Sequence, residues 1–162
     1  GSWWLCDQRY CWRGRTMSDN FDELAPWLER INQQLDANQK RKLNRRISTK
    51  MRTAWKRRIK AQKDPDGRKF TPRKRDQAGS IRRGAMFKRL PKMLKTAYSS
   101  RHAEIGFSGR TAEVMKVHQF GQTIKPNENS KPTRYAVRET IGWSDDDKKL
   151  IINEIKDFLL ED

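Results

Sequence analysis

The stretch NQKRKLNRRISTKMRTAWKRRIKAQ, residues 38–62, decides how this chain folds. Leu43, Ile47, Met51, Trp55 and Ile59 recur every four residues within it, with Ala54 beside them. On a helix of 3.6 residues per turn this spacing drifts by about 40° per step. The apolar stripe therefore winds slowly around a long helix and calls for more than one covering element. Lys and Arg take most of the remaining surface.

Immediately upstream, Phe21, Leu24, Leu28, Ile31 and Leu35 fall at helical spacing on one face. Asn20 with Glu23 reads as a capping box. Pro26 conflicts with a helix interior, so either the first turn is loose or regular helix begins near Ala25. Asp36-Ala37-Asn38 makes a short break, and two amphipathic helices so joined form an antiparallel hairpin. The first sixteen residues, GSWWLCDQRYCWRGRT, read as an extension outside the fold, with Gly1-Ser2 vector-derived.

Downstream, Asp64-Pro65-Asp66-Gly67 has the residues of a type I turn. Lys69 to Arg75 reads as extended, 76–84 as a loop, and Ala85 to Lys95 as a short helix or turn. Ala97–Ser100 and Ala103–Phe107 read as two strands meeting at Arg101-His102. Thr111 to Phe120 alternates between helical and strand patterns; Val114, Val117 and His118 fit one helical side, and Gly121 suits a helix stop. Gln122 to Pro132 is a surface loop and Tyr135 to Ile141 a strand. Ser144 caps a final helix whose first turn holds Asp145, Asp146 and Asp147 and whose core face is Leu150, Ile151, Ile155, Phe158 and Leu159. The expected class is α+β: an N-terminal helical hairpin over 17–63, then over 64–162 a small, largely antiparallel sheet, a short helix, and a C-terminal helix packed on the sheet.

Composition sets the electrostatic problem. The 162 residues carry a net charge of +17, and 34% are hydrophobic. Between Lys40 and Arg101 the acids are Asp64, Asp66 and Asp76, against 24 Lys and Arg. From Asp145 onward the balance reverses, with Asp145, Asp146, Asp147, Glu154, Asp157, Glu161 and Asp162 against three lysines. Such asymmetry can draw the chain to nucleic acid, or let one end of a subunit meet the opposite end of its neighbour. A basic helix lacking an orderly set of Asn, Gln and Arg suits phosphates rather than base edges. No window has the ~18 apolar residues of a membrane span.

Catalytic chemistry finds little support. Asp64 and Asp66 are explained by their turn, and Asp145 to Asp147 by helix capping. His118 among apolar neighbours reads as a hydrogen-bonded structural histidine. Cys6 and Cys11 with two distant histidines match no zinc spacing. No phosphate-cradling glycine loop or glycine-flanked nucleophile is present. The reading is of a non-enzyme without cofactor or metal.

Six pieces carry a resemblance: R-I-x-A-Q-x-D-P-D-G (Arg58 to Gly67), P-R-K-R (Pro72 to Arg75), R-R-G-A-M-F (Arg82 to Phe87), G-F-S-G-R (Gly106 to Arg110), V-H-Q-F-G (Val117 to Gly121) and R-E-T-I-G-W-S-D-D-D (Arg138 to Asp147). In this order they resemble the phage virion morphogenesis family, the tail-completion proteins of contractile-tailed bacteriophages. The resemblance implies a structural protein acting late in assembly at the head-proximal end of the tail, located in the virion and, during assembly, in the host cytoplasm. It implies a homo-hexameric ring on the tail tube protein, with sheath and head-completion or connector proteins as further neighbours and DNA in the lumen. Its relatives tend to read Y-P-A-R where this chain has Tyr135-Ala136-Val137-Arg138. The residues expected to make assembly contacts are Arg73, Lys74, Arg75, Arg82, Arg83, Met86, Phe87, His118, Gln119 and Phe120. The alternative is a sequence-independent nucleic-acid-binding protein.

Overall fold

A computed structural model describes residues 24–77 and 84–161. The expected capping box at Asn20 and Glu23, the extension 1–16 and the cysteines lie outside these residues, as do Arg82 and Arg83. In chain order the elements are α1 (Ala25–Gln34), α2 (Ala37–Lys60), α3 (Lys74–Gln77), α4 (Leu90–Met93), β1 (Lys95–Tyr98), β2 (Ala103–Gly106), α5 (Gly109–Phe120), β3 (Thr123–Ile124), β4 (Thr133–Arg134) and α6 (Asp145–Glu161). The class is α+β. The chain divides into two compact units. One comprises the described residues within Trp4–Thr53, Lys95–Ile105 and Trp143–Asp162; the other draws on Ala54–Leu94 and Gly106–Gly142.

The first unit is held by helices. Regular structure in α1 starts at Ala25 with Pro26 in the first turn, where its missing N–H costs nothing. Leu35 is already extended, and Asp36 opens α2: its Oδ1 accepts from the Gln39 N–H at 2.8 Å, while Gln39 Oε1 accepts from the Asp36 N–H at 2.9 Å. This reciprocal box satisfies two donors that a helix start leaves open. The same device starts α6, where Ser144 Oγ accepts from the Asp147 N–H at 3.1 Å and Asp147 Oδ2 from the Ser144 N–H at 3.0 Å. Ile31, Leu35, Leu43, Ile155 and Phe158 form a buried cluster, flanked by Trp27, Leu28, Ile47, Ile151 and Leu159.

In that cluster α6 meets the hairpin helices, where the sequence pointed to a sheet face. The reason is supply: β1 and β2 contain no buried residue, so they offer little apolar surface to cover a helix. Their four-residue connection permits only antiparallel pairing, and the Ser99 N–H donates to the His102 carbonyl at 2.8 Å.

Part of the charge asymmetry is resolved inside this unit. The Glu154 side chain is buried, and its carboxylate accepts from Arg46 Nε at 2.5 Å and pairs with Lys50. Arg46 also pairs with Glu161. Burial pushes the Glu154 carboxyl upward, but hydrogen bonds and charge from Lys50 and Arg46 outweigh it and hold the group below its ordinary value of 4.5.

In the second unit, Asp64–Gly67 forms the expected turn. The Gly67 N–H donates to the Asp64 carbonyl at 3.0 Å, and Gly67 sits at φ +81°. Lys69 to Arg75 is extended only in part, because Lys74 and Arg75 open the helical turn α3. The Arg73 N–H donates to Asp76 Oδ2 at 3.1 Å, a side-chain acceptor that favours a turn over a strand there. The strand expected from Tyr135 to Ile141 is absent: this segment has no paired strand and follows the end of α5. The Tyr135 N–H donates to the Gln122 carbonyl at 3.1 Å and the Arg138 N–H to the His118 carbonyl at 2.7 Å. Carbonyls in the last turn of a helix lack an intrahelical partner, so α5 offers an acceptor that a neighbouring strand would otherwise supply. Val114 is also half exposed, away from the side shared by Val117 and His118.

Phe158→Ala should cost about 3–5 kcal/mol in urea unfolding, because a wholly buried ring leaves a cavity among Leu43, Ile155 and their neighbours. A depressed carboxylate stabilises the fold above its unfolded value and loses that contribution as pH falls through the still lower folded value. Thermal melting of the wild type should therefore fall more steeply below pH 4.5 than that of Glu154→Gln.

Candidate functional site

The second unit brings five of the six sequence pieces into one web of side chains and irregular backbone. Arg138 is its hub. This buried guanidinium donates through Nε to the Thr71 carbonyl at 2.7 Å and through Nη2 to the Pro72 carbonyl at 3.1 Å, with Nη1 3.4 Å from His118 Nδ1. Gln119, buried in α5, accepts from the Thr140 N–H at 3.0 Å and donates to the Ile141 carbonyl at 2.7 Å. Arg58 donates to the Gly142 carbonyl at 2.6 Å and stacks over Trp55. Gln62 clamps Met86 from both sides, accepting from its N–H at 2.7 Å and donating to its carbonyl at 2.8 Å. Arg73 forks onto Asp76 and donates to the Gly84 carbonyl at 2.7 Å.

A relay of rings lies within the same unit. Phe70, Phe87, His118 and Tyr135 follow one another edge to face, with centroid separations of 5.8, 5.0 and 5.2 Å. Phe87 holds a left-handed backbone at φ +58°, which sets its ring between Phe70 and His118. Burial lowers the His118 pKa from its ordinary 6.5, and the charge of Arg138 lowers it further. The ring is thus neutral at pH 7, with Nδ1 free to accept from Arg138.

The residues expected at the surface therefore divide. Arg73, Phe87, His118 and Gln119 are bound into the web, and Met86 is fixed through its backbone. Lys74 and Phe120 face solvent; Phe120 is 49% exposed at the end of α5. Beside it Gly121 closes the helix at φ +62°, with the Val137 methyl and the Tyr135 carbonyl against the turn. Val137 and Ile124, on the segments bordering this turn, are also exposed. Of this set, Val137 and Ile124 escaped the sequence reading, as did Arg138, Gln62 and Asp76. Arg138 and Gln62 were visible as letters in the recurring pieces, but nothing in their spacing announces which carbonyls they reach.

The carboxylates of the Asp64–Gly67 turn are engaged locally. Asp64 Oδ1 accepts from the Arg68 N–H at 2.8 Å, and both Asp64 and Asp66 pair with the Arg68 guanidinium. Glu139, half-buried, is held above its ordinary value by burial and then by Asp64 and Asp66, against Arg68. Among the described residues no group of three or more His, Cys, Asp or Glu is placed to hold a metal ion. No helix among them is long and apolar enough to cross a membrane.

A model of the phage virion morphogenesis family matches residues 19–160. The chain belongs to that family. Among its relatives is the tail completion protein S of Escherichia phage P2, 27% identical over 140 residues, a span covering 82% of this chain and 93% of the relative. No solved structure matches the chain. Five of the six pieces that carried the resemblance tie irregular backbone together in this chain.

Gly121→Ala should destabilise the protein more than Gly67→Ala. Both carry the left-handed cost of about 1–2 kcal/mol, but at Gly121 a methyl would also come 2.7 Å from Val137 Cγ2 and 3.1 Å from the Tyr135 carbonyl. At Gly67 it meets open space. Thermal denaturation of the two variants measures the difference, and adding Val137→Ala should recover part of the Gly121→Ala loss.

Proposed function

We propose that the chain is a structural protein of the virion that completes the head-proximal end of a phage tail and prepares it for the head. It works as a ring of identical subunits and catalyses no reaction. The observation that carries this reading is the reach of the family match, which runs through both compact units and not a single motif. A relative whose own name is tail completion protein supports it.

The exposed apolar side chains Phe120, Ile124 and Val137 around the Gly121 turn favour assembly contacts on the second unit. Apolar residues bordering one turn of a chain this polar are best covered by another subunit or by the tail tube. The charge argument for head-to-tail closure is narrower than composition suggested, because Glu154 and Glu161 already pair within their own subunit. Asp145 and Asp146, exposed in the first turn of α6, keep their charge available.

Light scattering of the purified chain, alone and with isolated tail tubes, tests the proposal. The expected mass is a small multiple of 19.2 kDa, sixfold for the ring, or a shift onto the tubes. Phe120→Asp should abolish that association while leaving the melting temperature within a few degrees of wild type. A monomer that ignores the tubes would overturn the reading.

A further inference from the structure

We infer that the first compact unit carries a second interaction surface, a sequence-independent binding site for the phosphate backbone of double-stranded nucleic acid. The surface is built from the start of α2 and the tip of the β1–β2 hairpin. Asn44 Nδ2 donates to the Ser99 carbonyl at 2.8 Å, which fixes the hairpin against the helix. The tip is held by Ser99 Oγ, which accepts from the Arg101 N–H at 3.1 Å and the His102 N–H at 3.2 Å. The Arg41 guanidinium lies 6.0 Å from the centroid of the Tyr98 ring, and Arg45 stands one helical turn further along. Between hairpin and helix start runs a cleft of about 410 Å³, lined by Asn32, Ala37, Lys40, Ser100 and Arg101.

These cations differ from Arg46 and Lys50 of α2 in having no carboxylate partner among the described residues. Helix α2 contains no acidic residue. Glu154 and Glu161 pair with Arg46 and Lys50, and no carboxylate among the described residues pairs with Lys40, Arg41, Arg45 or Arg101. The carboxylate at the helix start, Asp36, accepts from the Gln39 N–H. Exposed guanidinium groups with no carboxylate partner among the described residues, beside an open cleft, favour a dense, extended polyanion, and duplex DNA presents one charge per about 1.7 Å of axis. Asn44, an amide on this part of α2, is committed to Ser99 and is not available to read base edges. A bilayer would want an apolar side chain among the cations to insert, and among the described residues Tyr98 is the one large ring beside them. The inference stands whether or not the chain forms rings.

Fluorescence anisotropy with a short mixed-sequence DNA duplex across a salt series tests it, using the full chain. The triple variant Arg41→Gln, Arg45→Gln, Arg101→Gln removes three contacts. The slope of log affinity against log salt should become shallower by about 2.7. The charge-matched control Lys125→Gln, Lys131→Gln, Arg134→Gln, in the other unit, should change that slope by less than about 1. Melting curves establish that both variants fold; the side chains replaced are exposed and make no ion pair with another described residue. Equal loss in both variants would mean diffuse attraction to a +17 chain and overturn the site. No binding by the wild type at about 50 mM salt would overturn it too. So would tighter capture of polyglutamate with the same dependence on the three arginines, which would assign the surface to an acidic protein.

Discussion

Unpaired backbone carbonyls are the constraint around which the second unit is organised. Its sheet is two residues deep on each strand, so the segments at Thr71-Pro72, Gly84 and Ile141-Gly142 pass through the fold without a ladder. Gly142 is buried and the bonds to Thr71, Pro72 and Ile141 are half-buried, so these carbonyls lose water and need another donor, while Gly84 is held in the same way at the surface. Here the donors are side chains: Arg138, Arg73, Gln119 and Arg58 each reach one or two of these oxygens. Charge-assisted bonds are stronger than neutral ones, and the planar guanidinium can serve two neighbouring carbonyls at once, as Arg138 does. The aromatic relay through His118 packs around that hub, which is why its imidazole is neutral.

The first unit solves a different problem with the same residue types. A helix as basic as α2 can pack only if its cations reach water or acids. Arg46 and Lys50 meet Glu154, while Lys42 and Arg46 also approach the Phe158 ring at 5.5 Å. Arg and Lys stems thereby cover apolar surface while their heads stay paired or wet. Towards the β1–β2 hairpin, Lys40, Arg41 and Arg45 have no carboxylate partner among the described residues.

Much of the fold was legible because its signals are local. Helical stripes at Ile31-Leu35, Leu43-Ile59 and Ile151-Leu159, the Asp64–Gly67 turn, the Gly121 stop and the Ser144 cap each depend on residues a few positions apart. The Tyr135–Ile141 segment misled because alternation of residue types signals an extended chain, and extended chain becomes strand only when another strand is beside it. The family pieces were equally legible as letters, yet their work is hydrogen bonding across 20 to 84 positions, from His118 to Arg138 and from Arg58 to Gly142.

Read alone, the sequence determined the four longer helices, the Ser144 cap, the Gly121 stop, the family and the excess of positive charge, since periodicity, turn chemistry and composition act over short range. Tertiary structure decided which of the expected contact residues are interior braces and which reach solvent. Arg73 and Phe120 look equally available as letters; one is consumed by Asp76 and the Gly84 carbonyl, the other stands half exposed beside Gly121. The reason is that a side chain's availability depends on which distant backbone groups lack a partner, and only the folded chain brings those groups within hydrogen-bond reach.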